Sequence, residues 1–370
     1  MRISLLEKRE DFYKILAETL REWKHIEPTQ EGNSSTFHIN RYLNFIAHIK
    51  LNSKVFAILK NEYFNSLSVW KRIIQRIYVS LAIHKSCRKL FAHKKITLPT
   101  CYQSYLILGG NHRLRLFPAG LEYSYVVLKK GESLHFIKNE TLLKKEMNPD
   151  YAPELLNSGQ NWIQEEYFEG TPLNRIFDDN LINDVVKRLI SKHLNELLIP
   201  ASKTIPANEY LNQIQSTCAT ITNNDKHRIK TETKTTIEKT LELCIAKYLS
   251  NEPVPVTWSH GDFQMANVLV NDNTFKVIDW EAADKRFIYY DLFVFLGEMR
   301  VHGSFEKALT LFEGQIQNYS LSTDLPPQWK LLLALEELLF MLNEDCSVNF
   351  YHSGERALKL CADIKKTGIV

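Results

Sequence analysis

The chain has 370 residues, and its 46 Lys and Arg residues nearly balance 43 Asp and Glu residues, which gives a formal net charge of +3. A hydrophobic content of 44% is that of an ordinary folded protein and excludes a disordered chain, and the length suffices for two domains that each bury a core. No run of about 18 apolar residues predicts a membrane span, and the early charges of "MRISLLEKREDF" argue against a signal peptide. The six Cys residues lack CxxC spacing, which indicates neither a zinc site nor a disulfide framework, so we predict a cytoplasmic protein.

Residues 1–98 are predicted to form helices, because Gly and Pro are rare there and apolar residues recur three and four positions apart. Residues 50–95 carry eleven Lys or Arg residues and one acidic residue. This segment is therefore strongly basic, and the rest of the chain is acidic.

One part of this basic segment, residues 68–95, has the pattern of an amphipathic helix. Its apolar stripe consists of Trp70, Ile73, Ile74, Ile77 and Leu81, and most of its basic residues lie off the stripe, namely Lys71, Arg72, Arg76, Lys85, Arg88 and Lys89. Two interpretations are open. The helix lies on an anionic membrane surface, at the inner face of the membrane, or the stripe packs against the rest of the protein and the charges are only solvated. Nucleic-acid binding is not expected, because no recognisable binding motif accompanies the basic residues.

A three-stranded antiparallel meander is predicted over residues 102–130, where "SYLILGG", "RLRLFP" and "YSYVVLKK" are separated by turn residues. A helix over residues 134–147 and a strand at "NWIQEEYF" follow. The segment Glu169–Pro172 ends this strand. The pattern predicts a small, sheet-rich region.

Residues 173–250 are predicted to be helical, with a polar stretch over residues 222–236 that is a loop or an exposed helix. Three short strands follow at "VTWSH", "NVLV" and "FKVIDW", and the chain is helical from residue 291 to its end. Strands first and helices later, with a hinge near Gly170, indicate an α+β protein with a small sheet-rich lobe and a larger helical lobe.

Three polar side chains surround the last pair of strands. Asp262 lies in a loop, Asn267 begins one strand, and Asp279 ends the next. Because a hairpin brings the start of one strand beside the end of the other, Asn267 and Asp279 are expected to converge, with Asp262 nearby. Two such oxygen ligands suit Mg²⁺, and a further carboxylate suits a base that deprotonates a hydroxyl during phosphoryl transfer.

These residues resemble a known catalytic segment. His260-Gly261-Asp262, then Asn267, then Val277-Ile278-Asp279-Trp280-Glu281 are similar to that of the aminoglycoside phosphotransferase and choline kinase-like family, small-molecule kinases with a bilobal, protein kinase-like fold. The resemblance implies that Asp262 is the catalytic base and that Asn267 and Asp279 hold Mg²⁺. It also implies that Asp291 supports the loop.

The resemblance extends upstream and implies an ATP site. The turn at Gly109 and Gly110 corresponds to the one that covers the nucleotide phosphates, and Lys129 to the lysine that pairs with them. Lys130 adjoins Lys129, and strand alternation alone does not rank the two. The partner of this lysine would be Glu140, with Glu146 the weaker candidate. The backbone of Glu166, Tyr167 and Phe168 would meet the adenine edge.

A small-molecule acceptor is favoured over a protein. Gln264 stands where protein kinases usually have a Lys, Trp280-Glu281 follows Asp279, and only eleven residues separate Asp279 from Asp291, too few for a peptide-docking segment. We therefore predict an ATP- and Mg²⁺-dependent kinase that phosphorylates a hydroxyl of a sugar, an aminoglycoside-like compound or a cell-envelope glycan. The alternative is a catalytically silent kinase-fold scaffold or a membrane-associated binding protein.

Three regions are expected. Residues 1–98 form a helical, basic N-terminal extension, residues 99–170 the nucleotide-binding lobe and hinge, and residues 171–370 the helical lobe with the catalytic loop. The acceptor pocket is expected within residues 175–250 and the C-terminal helices.

Overall fold

The computed structural model describes residues 12–23, 33–64, 69–110, 112–224, 229–248, 250–272, 274–319, 325–347 and 354–370. Its strands are β1 Ser34–Asn40, β2 Phe45–His48, β3 Lys94–Pro99, β4 Tyr105–Gly109, β5 Arg113–Pro118, β6 Tyr123–Leu128, β7 Leu155–Ser158, β8 Trp162–Glu166, β9 Thr171–Pro172, β10 Lys203–Ile205, β11 Val254–Ser259, β12 Val268–Asn271, β13 Thr274–Val277 and β14 Asp284–Phe287. Its α-helices are α1 Phe12–Glu22, α2 Ala57–Tyr63, α3 Val69–Ile83, α4 His135–Glu146, α5 Asp179–Lys192, α6 Ala207–Thr222, α7 Thr231–Lys247, α8 Tyr290–Leu296, α9 Met299–His302, α10 Phe305–Ile316, α11 Pro327–Ser347 and α12 Glu355–Lys366.

The chain divides into two compact units. Unit 1 contains residues 1–186 and 266–278, and unit 2 contains residues 187–265 and 279–370. The predicted α+β character is confirmed, since strands dominate the centre of unit 1 and helices dominate unit 2. The predicted boundaries at residues 98 and 170 differ from this division.

An eight-stranded antiparallel sheet forms unit 1, in the order β3-β1-β2-β4-β5-β6-β8-β7. The meander predicted over residues 102–130 is confirmed as β4, β5 and β6, and the predicted helix and strand after it are α4 and β8. The prediction that residues 1–98 form a separate helical extension is wrong, because three of the eight strands, β1, β2 and β3, come from this segment.

The β1–β2 hairpin explains this error. Asn40 Oδ1 accepts the backbone N–H groups of Tyr42 (3.1 Å) and Leu43 (3.0 Å), which closes a tight turn between the two strands. The hairpin buries Phe37, Ile39, Leu43 and Phe45, and the step of four residues from Ile39 to Leu43 across the turn imitates the spacing of a helix. Apolar spacing alone cannot distinguish the two patterns over so few residues.

Alternate residues of β6 face different helices of unit 1. Tyr125 and Val127 belong to the buried cluster that contains Leu16 and Leu20 of α1, whereas Val126 and Leu128 pack in the cluster that contains Phe136 and Ile137 of α4. This alternation follows from the two-residue period of a strand. On the α4 side, the register places Arg113 of β5 opposite Leu128, and Arg115 opposite Val126.

A small sheet completes unit 1, in the order β13-β12-β9. The predicted hairpin of "NVLV" and "FKVIDW" is confirmed, with Val268 opposite Val277. Leu269 of β12 lies opposite Pro172 of β9, just after the segment predicted as the hinge.

Unit 2 combines a three-stranded sheet, ordered β10-β11-β14, with helices from both of its chain segments. The predicted strand at "VTWSH" is β11, and β10 and β14 beside it were not predicted. The apolar segment "WKLLLALEELLFML" forms α11, which packs against α6, α7 and α12. Residues 222–236 were predicted to form a loop or an exposed helix. In the structure α7 begins at Thr231 within this stretch, and residues 225–228 lie outside the described part.

Candidate functional site

A pocket of about 150 Å³ lies within unit 1 beside strand β8. Its walls include Leu108 and Phe117 from the large sheet and Leu269 and Ile278 from the small one. Glu166, Tyr167 and Phe168 also line it, so the three residues predicted to meet the adenine edge surround a real cavity. Largely apolar walls with a few polar residues suit a flat heterocyclic base.

Helix α2 supplies another wall of this unit 1 pocket, through Ile58 and Asn61. The Asn61 side-chain amide donates a hydrogen bond of 3.2 Å to Glu169, just after the predicted hinge. Part of the segment expected to lie outside the kinase fold therefore belongs to the pocket.

The predicted Gly109-Gly110 turn joins β4 to β5. The backbone N–H of Gly110 donates to the carbonyl of Arg113 at 2.8 Å, and a Cβ atom on Gly110 would lie 2.9 Å from that oxygen. Position 110 therefore requires glycine for the close approach of two backbones. The predicted contact of this turn with nucleotide phosphates stays a prediction.

Five charged side chains of unit 1 form a nearly continuous chain between α4 and the pocket. Glu140 pairs with Arg113 and with Lys144 (2.9 Å), Lys144 Nζ lies 2.6 Å from Glu165, and Glu165 lies 3.6 Å from Arg115. Arg115 and Glu165 both line the pocket.

Glu140 stays charged within this chain. Burial alone would raise its pKa, but the positive charges of Lys144 and Arg113 outweigh burial and hold the pKa of Glu140 well below its ordinary value. The side chain is 1% exposed. A buried carboxylate with two cationic partners is a rigid anchor for both of them.

The two predicted lysine candidates lie in different surroundings. Lys129 follows β6, its side chain is buried, and its backbone N–H donates to the carbonyl of His112 at 2.9 Å. Lys130 is half exposed and pairs with Glu18 (3.3 Å) and Glu22 (2.5 Å) of α1. The structure thus gives Lys130 a role that ties α1 to the sheet, and Lys129 remains the better candidate for a phosphate contact.

The loop that carries the predicted base lies in unit 2 and is fixed by Asp291. One carboxylate oxygen of Asp291 accepts hydrogen bonds from the Ser259 hydroxyl (2.7 Å) and the Gly261 N–H (3.0 Å). The other oxygen accepts from the His260 N–H (2.7 Å) and lies 3.1 Å from His193 Nε2. This is the supporting role that the resemblance implied for Asp291.

Gly261 gives this loop its shape. Its φ is +82°, and a Cβ atom there would lie 2.4 Å from the carbonyl oxygen of Ala282. Only glycine fits this combination of left-handed backbone and close contact. The side chain of the next residue, Asp262, is therefore carried on a tightly defined turn.

Two side chains orient the carboxylate of Asp262. Arg300 Nε donates to Oδ1 at 2.9 Å, and Gln264 Nε2 donates to Oδ2 at 2.7 Å. Arg300 is itself held by Glu337, whose Oε1 lies 2.5 Å from Arg300 Nη1. The Asp262 side chain nevertheless remains 28% exposed, so it is both oriented and accessible.

The two predicted metal ligands belong to different units. In unit 1, Asn267 ends a single 3₁₀ turn and is 9% exposed. Its backbone carbonyl accepts the backbone N–H of Ile278 at 2.8 Å. Asp279, the next residue, begins the second segment of unit 2 and has a left-handed backbone with φ of +70°. A non-glycine residue in this conformation is uncommon and is typical of functional positions.

Within the described ranges, no group of three or more His, Cys, Asp or Glu side chains is arranged to hold a metal ion. The side-chain oxygens that Asn267 and Asp279 each carry, an amide and a carboxylate, are of the kinds that hard cations such as Mg²⁺ take as ligands. Among the described residues, no helix is both long and apolar enough to cross a membrane.

Sequence reasoning missed two groups of residues. Arg113 and Arg115 alternate on β5 as "RLRLF", and this alternation of Arg with Leu on one strand was an available signal. Arg300 lies 38 residues from Asp262, and no local pattern connects them. Only the folded chain brings that pair together.

The sequence profile described as choline/ethanolamine kinase matches residues 125–319, which is more than half of the chain. The search of curated protein sequences found no match to this chain. The match includes β6, α4, the predicted hinge and the loop that carries Asp262.

Similar solved structures include a thermostable mutant of aminoglycoside phosphotransferase APH(4)-Ia without ligand, with a TM-score of 0.51 at 14% identity over 71% of this chain and 94% of that one. The same protein in a complex with AMP-PNP and hygromycin B gives 0.50 at 16% identity, with the same coverage. Choline kinase from Cryptosporidium parvum gives 0.46 at 11% identity over 72% of this chain and 86% of that one. The two phosphotransferase structures show that the fold is protein kinase-like.

Proposed function

Because this chain belongs to the choline/ethanolamine kinase family, and is thus a small-molecule phosphotransferase, we propose that it moves the γ-phosphoryl group of ATP to a hydroxyl of a small molecule. The narrower proposal for the acceptor is a sugar, an aminoglycoside-like compound or a glycan. The observation that supports catalysis most directly is the carboxylate of Asp262, which two donors orient while it stays accessible.

Asp262 is the proposed base. It orients the acceptor hydroxyl and takes its proton as the oxygen attacks the γ-phosphorus and the bond to the bridging β–γ oxygen breaks, which releases ADP. Arg300 and Gln264 fix the direction of the carboxylate and do not touch the reacting atoms in this proposal. Such fixed geometry is what makes a general base effective.

The unit 1 pocket is the proposed binding site for the adenine ring of the nucleotide. The complex of a phosphotransferase of similar fold with AMP-PNP supports nucleotide binding, and Glu166, Tyr167 and Phe168 line the cavity here. Gly109, Gly110 and Lys129 are the proposed phosphate contacts. Glu140 is proposed to position cationic side chains near these phosphate contacts. Its described partners are Arg113 and Lys144.

Asn267 and Asp279 are the proposed holders of Mg²⁺. When bound, this ion would neutralise charge on the phosphate oxygens during transfer. Its removal by chelation should abolish turnover and weaken ATP binding.

An acceptor screen tests the proposal. Purified protein with Mg²⁺ and ATP is incubated with amino alcohols (choline and ethanolamine), sugars and aminoglycosides, and ADP release and phosphorylated product are measured. We expect one acceptor class to give product with the wild type and none with Asp262→Asn. Equal ADP release by both proteins with every acceptor would contradict Asp262 as the base, and a total lack of nucleotide binding would contradict the kinase proposal itself.

A further inference from the structure

Helix α3 presents its apolar stripe to solvent. The exposed fractions are 76% for Trp70, 65% for Ile74, 58% for Ile77 and 42% for Leu81, and these residues recur at the spacing of a single helix face. Packing of this stripe against the rest of the protein, one of the two interpretations of the sequence, is therefore wrong for the described part of the chain. Large apolar side chains that are contiguous and exposed typically mark a binding surface.

The opposite face of α3 holds the helix in unit 1. Val79, Ala82 and Ile83 are buried, in a cluster that also contains Phe56 and Leu59. The helix consequently has two apolar faces, and the fold uses only one of them. The exposed stripe is not needed for the packing of α3.

Positive charge flanks the exposed stripe. Lys71 and Arg76 are exposed and lie on opposite sides of it, and Lys85 and Lys89 are exposed just beyond the end of the helix. Arg88, which the sequence pattern had grouped with them, is instead buried and donates to the carbonyls of His48 and Leu51 at 3.1 and 3.3 Å. The flanking charge is thus carried by long, flexible side chains at the surface.

Arg72 lies on the other side of α3 from the exposed stripe, because it precedes the buried Val79 by seven positions, or two helical turns. The guanidinium of Arg72 lies 4.4 Å from the ring centroid of Phe177, which is 53% exposed. The surface named here the α3 face consists of Trp70, Ile73, Ile74, Ile77 and Leu81, bordered by Lys71, Arg76 and Lys85.

We infer that the α3 face docks on an anionic lipid surface, with α3 parallel to the membrane plane. A helix of 15 residues is about 22 Å long, and an apolar stripe with basic residues on both sides matches acyl chains below and lipid phosphates beside them. RNA offers phosphate charge but no apolar layer for Trp70 and Ile74. Docking is independent of the proposed kinase reaction, because none of these residues belongs to the candidate site.

The test is vesicle cosedimentation of the full-length protein. Vesicles of phosphatidylcholine alone are compared with vesicles that also contain phosphatidylserine, at low salt and at about 1 M salt, where screening reduces the Debye length to about 3 Å. The wild type is expected to bind anionic vesicles at least about ten-fold more strongly than neutral ones, and high salt should remove most of this preference.

Two variants separate the apolar and basic contributions. Trp70→Ser/Ile74→Ser/Ile77→Ser should lose binding to both kinds of vesicle, and Lys71→Gln/Arg76→Gln/Lys85→Gln should lose only the preference for anionic ones. The matched control is Leu156→Ser/Ile199→Ser/Leu243→Ser, which removes three exposed apolar side chains elsewhere and should bind as the wild type does. Because all these side chains are exposed, unchanged far-UV circular dichroism and Tm are expected.

Three outcomes would overturn the inference. In the first, the wild type binds neither kind of vesicle. In the second, the control loses as much binding as the stripe variant. In the third, single-stranded RNA or a second copy of the chain, detected by gel shift or sedimentation, occupies the α3 face and prevents vesicle binding by the wild type.

Discussion

Buried charges serve different purposes in the two units. In unit 1, they alternate in sign from Arg113 through Glu140, Lys144 and Glu165 to Arg115, and the last two line a pocket. In unit 2, the carboxylate of Asp291 accepts mostly backbone and hydroxyl donors, and Arg300 directs one exposed carboxylate. Under the proposed function, unit 1 needs charge for binding, whereas unit 2 needs direction for chemistry. Substitutions that preserve size but change charge, or the reverse, distinguish these needs.

The largest effect is expected from Asp262→Asn, which keeps the shape of the side chain and removes the proposed base. We expect turnover to fall by about 100-fold or more, with the Kd for ATP nearly unchanged. Asp272→Asn on the exposed β12–β13 turn is the matched control and should behave as the wild type. A large loss of ATP affinity with unchanged turnover would show that binding and chemistry are wrongly assigned to the two units.

Asp291→Asn is expected to lower the free energy of unfolding by about 3 kcal/mol, because an amide NH₂ would face the N–H groups that the carboxylate accepts. Differential scanning calorimetry at pH 7 measures the change. A shift no larger than that of the Asp272→Asn control would mean that Asp291 does not fix the loop.

The same residue predicts a pH dependence. Burial alone would raise the pKa of Asp291, but the hydrogen bond and charge of His193 outweigh it and hold this pKa below its ordinary value of 3.8. The stabilisation is therefore complete above the pKa of the unfolded chain and is lost as the pH falls below about 4. We expect the Tm of the wild type to decrease more steeply than that of Asp291→Asn between about pH 5 and 3.

Lys129→Met should weaken ATP and ADP binding by about 10-fold, because one charge-assisted contact is lost, and should leave adenosine binding unchanged. Lys130→Met is the control at the adjacent position, since Lys130 pairs with Glu18 and Glu22 of α1. Isothermal titration with the three ligands measures both variants. If the affinity for adenosine fell equally, Lys129 would support the structure of the pocket and would not contact the phosphates.

The smallest effect is expected from Arg300→Lys, which keeps the charge but cannot bond Asp262 and Glu337 at once. Turnover should fall a few-fold, with the KM for ATP unchanged. If Arg300→Lys were as active as the wild type, charge alone would suffice near Asp262, and the contrast between the two units would weaken.

The sequence predicted those features that depend on local patterns. The meander of β4, β5 and β6 has strand alternation between turn residues, and the β12–β13 hairpin has two apolar runs around Asn271 and Asp272. The order of the HGD segment, Asn267 and Asp279 along the chain indicated the family, which the match over residues 125–319 confirmed.

The rest depends on tertiary contacts. β1 and β2 become strands through their pairing with β3 and β4, although the apolar spacing of the segment resembles that of a helix. The pairs Arg113–Glu140 and Arg300–Asp262 join residues far apart in the chain. The periodicity of apolar residues within one segment cannot indicate a contact with a distant segment.

The hydrogen bond between Asn61 and Glu169 has a practical consequence for how this protein can be dissected. A shortened version that started near residue 99 would begin at an attractive proline boundary. It would nevertheless discard β1, β2 and β3, three of the eight strands of the large sheet, and would remove the α2 wall of the unit 1 pocket. Such a fragment would be a damaged enzyme rather than a minimal one, and any loss of its vesicle binding would say nothing about α3. Point substitutions on the intact chain are the informative route.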